Sequence, residues 1–216
     1  MSNKLCNIVM FVALILIQQV YAQSDPKAKT VLDNALKVYK TYPSISAKFS
    51  QSIESPNSKT TVKTGQVFVK ADMYKIILPD QSIYCDKKTV WTYVKELNEV
   101  QINDYEPSAD EITPTNIYSI YQTDFYYMLG GIENVAEMPC QVVDLTPKNK
   151  EKPFFKVRIW IDKKTQLVKQ FKIFDRNGTR YTYTVTSINT NAGLQDTFFK
   201  FNTKDYPGVH VEDLRF

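Results

Sequence analysis

"FKVRIWIDKKTQLVKQFKIFDRNGTRYTYTVT", residues 155–186, holds three runs of alternating character separated by two turns. Phe155, Val157, Ile159 and Ile161 alternate with Lys156 and Arg158. Leu167, Phe171 and Ile173 are opposed by Gln170 and Lys172, and Tyr181, Tyr183 and Val185 by Thr182, Thr184 and Thr186. A period of two sends successive side chains to opposite faces of a strand. Asp162-Lys163-Lys164-Thr165 and Arg176-Asn177-Gly178-Thr179 read as hairpin turns, the second with the Asn-Gly pair that favours a tight turn. The stretch is therefore an antiparallel meander with one apolar and one polar face.

The same period recurs upstream. Ile45, Ala47, Phe49 and Ile53 alternate with Ser46, Lys48, Ser50 and Ser52. Residues 62–70 form another strand, with Gly65 expected at a bulge or bend. Tyr74, Ile76 and Leu78 share a face opposite Lys75, Pro79-Asp80 turns the chain, and short strands are expected at 81–85, 88–95 and 98–105. Within these, Trp91 and Tyr93 stand two apart and so share a face. Two segments have helical spacing instead. Residues 26–41 carry Ala28, Val31, Leu32, Ala35, Leu36 and Tyr39 on one side, with Asp25-Pro26 as cap and first turn and Tyr42-Pro43 as the stop. Residues 114–129, between Thr113-Pro114 and Gly130-Gly131, place Ile117, Ile120, Tyr121, Tyr127 and Met128 on one side and are expected to be a second helix.

About ten strands, each with one polar face, do not make a buried parallel sheet. They predict a mainly β protein: one large, curved, incompletely closed antiparallel sheet or barrel of about 10–11 strands, with two amphipathic helices covering its apolar side as a lid. A barrel of more than eight strands leaves interior room for a ligand. The candidate walls of that interior are Phe49, Tyr74, Ile76, Leu78, Trp91, Tyr93, Phe155, Val157, Ile159, Phe171 and Ile173. Leu32, Leu36, Ile120 and Met128 are the candidate underside of the lid. The competing reading is ordinary helix-on-sheet packing, and for Trp91 and Tyr93 a plain core or outer-face position.

Composition bounds the chemistry. The chain has 216 residues, a net charge of +4 and 27 Lys+Arg against 23 Asp+Glu with no basic block, which argues against nucleic-acid binding. Tyr 14 and Phe 12 against Gly 6 agree with a β protein. Residues 1–22 contain one charge, Lys4, then an apolar run from Ile8 to Ile17 and Val20-Tyr21-Ala22. They read as a cleaved secretory signal, leaving residues 23–216 as a single exported, soluble domain. Gln23, not a cysteine, would be the first mature residue, which argues against a lipid anchor. Cys85 and Cys140 remain. In an oxidising compartment such a pair suggests a disulfide; the alternative is two buried thiols packing as small apolar residues.

Catalytic patterns are sparse. His210 is the one histidine, near the C-terminus, and no Gly-x-Ser-x-Gly, His-Glu-x-x-His, Gly-x-Gly-x-x-Gly or Cys-x-x-Cys occurs. Asp104, Glu106, Asp110 and Glu111 cluster on a loop and read as a solvated face rather than a glycosidase pair. Binding is thus favoured over catalysis, and no cofactor is expected.

"GQVFVK" (65–70), "LPDQSIYCDKKTVWTYV" (78–94), "VVDLTPK" (142–148) and the run from "FDRNGTRYTYTVT" to "PGVHVED" (174–213) resemble, in order and spacing, the LolA-type periplasmic lipoprotein carrier. The resemblance implies an incompletely closed antiparallel barrel with a helical lid. It implies a carrier that takes acylated lipoproteins from an ATP-driven extractor in the inner membrane, shelters their acyl chains in its cavity and delivers them to an outer-membrane receptor or to the outer membrane itself. Localisation in the periplasm and a monomeric state are expected with it. An envelope sensor of lipid or lipoprotein with the same fold, and a carrier of another lipid, are the alternatives. One departure stands out. The family commonly has Arg-Pro after the Val-Lys of the glycine strand, and the Arg helps hold the lid. Here Ala71-Asp72 follow Lys70, and an ammonium lacks the planar fork of Arg, so that role is not carried over.

Overall fold

The computed structural model describes residues 24–107, 111–123 and 125–215. The expected leader, residues 1–22, and Asp110 lie outside them. Helix α1, Pro26–Tyr39, starts where Asp25 caps it, its side chain accepting from the Lys27 amide, with Pro26 in the first turn. Its apolar stripe buries Ala28, Leu32, Ala35 and Leu36. No helix among the described residues is long and apolar enough to cross a membrane.

Twelve strands follow among the described residues: β1 Ile45–Glu54, β2 Thr61–Lys70, β3 Met73–Ile77, β4 Gln81–Cys85, β5 Thr89–Val94, β6 Glu99–Asp104, β7 Phe125–Val135, β8 Met138–Pro147, β9 Phe154–Asp162, β10 Val168–Asp175, β11 Arg180–Asn189 and β12 His210–Asp213. They form one sheet in the order β12-β6-β5-β4-β3-β2-β1-β11-β10-β9-β8-β7. Two meanders, β1 to β6 and β7 to β11, are zipped together where β1 pairs with β11, antiparallel throughout. Only β12 lies parallel to its neighbour, β6. The end strands β12 and β7 are not paired to each other, so the sheet is open rather than closed. The meander of residues 155–186 has the register its alternation requires, with Ile159 beside Phe171 and Phe171 beside Tyr183.

The second expected helix is not formed. Residues 114–119 are turns, Ile120–Gln122 make one 3-10 turn, and residues from Phe125 onward are the edge strand β7. Gly130 and Gly131 are not a helix stop. They lie in a bulge where the β7–β8 register shifts between Leu129 and Ile132. The misleading feature is the run from Phe125 to Leu129, apolar on both faces. Phe125 is buried, whereas Tyr126 and Met128, 66% exposed, point away from the core. The lid is therefore one helix plus an irregular segment, residues 112–122.

Gly65 is not at a bulge either. The β1–β2 register runs through it without a break, with Gly65 opposite Phe49. A Cβ there would lie 2.7 Å from the Phe49 ring and 2.8 Å from the Ile77 carbonyl oxygen. The position is glycine because a ring and a neighbouring backbone close over it.

The packed interior is lopsided. One cluster joins α1 and the 117–121 turns to β7–β10 through Phe125, Val143, Leu145, Val157 and Ile159, all nearly inaccessible to solvent. Under β2 to β4 only a small cluster of Val69, Tyr74 and Cys85 is buried. On the opposite, outer face of that half, the segment after β11 lies back across the sheet. Lys70 holds it by donating to the Leu194 carbonyl and pairing with Asp196 at 2.7 Å. Lys70 thus anchors the C-terminal segment and plays no part in the lid.

Candidate functional site

The less packed half encloses a hollow of about 290 Å³ on the concave side of the sheet. Its walls come from alternate residues of six strands. Ala47 and Phe49 on β1, Val67 and Val69 on β2, Ile76 and Leu78 at and just after β3, and Ile83 on β4 form one side. Phe171 and Ile173 on β10 and Tyr183 and Val185 on β11 form the other. Tyr39, at the end of α1, and Ile112, Pro114, Ile117 and Tyr118 close it above.

Five of the expected wall residues therefore meet in the hollow: Phe49, Ile76, Leu78, Phe171 and Ile173. Others lie elsewhere. Leu32, Leu36, Ile120, Val157 and Ile159 are in the solid core beside it, because α1 sits on β7–β10 rather than over the β1–β4 half. Tyr74 is buried against Val69 and Cys85 beyond the wall. Met128 faces outward on the edge strand. Phe155 is 38% exposed. A shift in the β9–β10 register sets Asp175 opposite Phe154, so Phe155 is turned out onto Phe174, 6.0 Å between ring centroids, and under the Arg180 guanidinium.

Trp91 and Tyr93 also face away from the hollow. They pair across with Tyr84 and Ser82, whereas the wall residue Ile83 has the opposite parity. Tyr93 packs at a tilt against Phe201 and Tyr206 of the returning C-terminal segment, at 5.6 and 4.4 Å, and Tyr84 donates to or accepts from the Tyr206 hydroxyl at 2.7 Å. These rings fasten that segment to the sheet. Cys85 and Cys140 are both free and buried, on strands separated by six others in the sheet. Each is in its own apolar cluster, and burial pushes both thiols up. Of the two readings of this pair, the structure has the two packed thiols and not the disulfide. His210 is exposed on β12, its amide donating to the Asn98 carbonyl, with no catalytic partner among the described residues.

Three contacts seat the segment over the hollow. Tyr118 stacks on Tyr39 at 4.2 Å and 13° between planes. Its hydroxyl accepts from the Val168 amide at 2.9 Å, at the start of β10. Tyr121 donates to Asp33 on α1. Salt-bridging Lys29 first, and then Tyr121, hold the Asp33 carboxyl below its ordinary range. Burial pushes the Tyr39 hydroxyl up to about 12 and the Tyr118 and Tyr183 hydroxyls up as well. All three are neutral at physiological pH, and among the described residues no Lys, Arg, Asp or Glu lines the hollow. Its interior is uncharged and apolar, which suits hydrocarbon and not an ion. Tyr118→Phe leaves the buried Val168 amide without its acceptor, and we expect a loss of about 1–3 kcal/mol in chemical denaturation.

Sequence reasoning missed the closing residues Tyr39, which helical spacing placed on the packed side of the first helix, and Tyr118, which fell off the apolar side of the expected second helix. It also passed over Gln51. That residue stands on the same face as Ile45, Ala47, Phe49 and Ile53, and an amide in an apolar row was a visible signal.

Residues 40–202 match the family described as outer membrane lipoprotein carrier protein LolA. No curated protein matches the sequence. An uncharacterised conserved protein from Thermus thermophilus superposes with a TM-score of 0.58 at 15% identity, over 88% of this chain and 99% of that one. The lipoprotein LppX of Mycobacterium tuberculosis gives 0.49 at 10% identity over 78% and 100%. A LolA superfamily protein from Nitrosomonas europaea gives 0.45 at 11% identity over 81% and 97%. Those identities speak to the fold alone; the sequence match spans three-quarters of the chain and every strand that walls the hollow. The chain belongs to the LolA family of outer membrane lipoprotein carrier proteins.

Proposed function

We propose that this protein is a periplasmic carrier that takes up lipoprotein acyl chains in the hollow and moves them from the inner to the outer membrane. The observation that carries the reading is the uncharged apolar hollow itself. Protein interiors are packed as densely as organic crystals, and an open hollow of about 290 Å³ walled by Phe, Ile, Leu and Val presents apolar surface that the protein's own side chains do not cover, at a cost in stability. An acyl chain recovers that loss, at about 0.8 kcal/mol per buried methylene. The hollow is near the small end of ligand sites, which run from about 300 to 1,000 Å³. Cargo with several chains therefore requires residues 112–122 to move off the sheet, against the ties that Tyr118 and Tyr121 make. The partners in this reading are an ATP-driven extractor in the inner membrane and a receptor in the outer membrane.

The experiment is release. With the extractor and ATP supplied, adding the purified protein to inner-membrane vesicles is expected to bring lipoproteins into the soluble fraction as a one-to-one complex. Lipoproteins that stay in the pellet under those conditions would refute the reading. Native mass spectrometry of the protein from cells separates this cargo from other lipids.

A further inference from the structure

The hollow is not uniform along its length. From the lid outward, the β1 face reads Ile45, Ala47, Phe49 and then Gln51. At the same far end, the β3–β4 hairpin contributes Leu78 and Gln81, and β11 contributes Tyr183, directly beside Gln51 in the register. The Gln51 amide donates to the Tyr183 hydroxyl at 2.9 Å, which leaves the phenolic proton free to be donated onward. The Gln81 side-chain amide has no partner among the described residues. Beyond these groups the end is collared by charge. Lys63, which pairs across with Gln51, meets Asp80 at 2.6 Å, and Lys95 donates to the carbonyls of Leu78 and Pro79. Lys63 is matched by Asp80, and Lys95 spends two of its donors on the hairpin carbonyls.

We propose that this end is a subsite for the neutral carbonyl of an acyl ester or amide, read by the Tyr183 hydroxyl, which Gln51 positions, and by the Gln81 amide. This deepens the carrier reading and rests on it. A carbonyl oxygen is an acceptor, and the Tyr183 hydroxyl and the Gln81 NH2 each have a proton to offer it in an otherwise apolar site. There each unsatisfied polar group is costly and each satisfied one is selective. The consequence is orientation: the tail enters toward Tyr118, and the linkage to the head group stops at Gln51 and Gln81, with the head among Lys63, Asp80 and Lys95.

The test uses the full chain, a fluorescent acyl probe, and two competitors of similar apolar length, methyl laurate and tridecane. For the near-isosteric pair Gln51→Leu and Gln81→Leu together, methyl laurate is expected to displace the probe about tenfold less well, one to two hydrogen bonds' worth, while tridecane competes as before or better. Tyr183→Phe keeps the shape of the wall and is expected to cost the ester about fivefold and tridecane nothing. It decides the matter if the double variant does not fold. Unchanged ester affinity in both variants, or an equal loss for ester and hydrocarbon, overturns the subsite while leaving the carrier reading in place. Failure of the wild-type protein to bind either competitor overturns the carrier reading, and the subsite with it.

Discussion

Ile76→Trp is expected to reduce acyl-chain binding at least tenfold while leaving the unfolding free energy within about 1–2 kcal/mol of the wild type. Ile76 is on β3, pairs with Val67 and Ile83, and faces the hollow with both of them. Enlarging a side chain in a filled core forces strain of about 1–3 kcal/mol. Here the added ring has unoccupied volume in front of it, so strain is small and the ring takes the place of the ligand's hydrocarbon. Titration with the acyl probe and urea denaturation of the same sample check both halves of the expectation. Unimpaired binding would mean that the ligand sits somewhere other than this cavity. Impaired binding with a large loss of stability would mean that the walls were already packed against each other.

Period-two alternation located β1 and β9 to β11 and their apolar faces, because a strand with one wet side must alternate. It also delivered Phe49, Ile76, Phe171 and Ile173 to the cavity wall. Alternation says which residues share a face but not which face is inward. Trp91 and Tyr93 were therefore legible as a pair, with the cavity wall, the core and the outer face all open to them. Their inward or outward sense is settled by Phe201 and Tyr206, more than a hundred positions downstream. The segment from Phe125 to Leu129 failed for a different reason. On an edge strand the solvent side need not be polar, so the period vanished, and the flanking Pro and Gly pairs imitated helix boundaries. Phe155 was misplaced by a single register shift, which reverses parity for every residue on one side of it. The two free cysteines follow from sheet order, which spacing along the chain does not contain.

Phe125→Ala is expected to do the opposite of Ile76→Trp: a loss of about 3–5 kcal/mol in stability with an unaltered affinity for acyl ligand in the molecules that remain folded. Phe125 opens β7, is 2% exposed, and lies parallel to Phe154 with 6.2 Å between centroids. It belongs to the cluster in which α1 covers β7–β10, and it does not line the hollow. Removing the ring leaves a void where α1, β7 and β9 meet, and it strips the cover from the buried Lys152 ammonium 5.6 Å from the ring centroid. The measurement is the urea midpoint at constant m, followed by acyl-probe titration well below that midpoint. The pair of variants tests a division of labour within one sheet. A protein that must keep a cavity empty for its cargo forgoes the packing energy of that half, so the other half has to be packed well enough to hold the fold. If Phe125→Ala weakened acyl binding as strongly as it weakened the fold, the two halves would be one cooperative core. The empty space would then be a defect of packing and not a site.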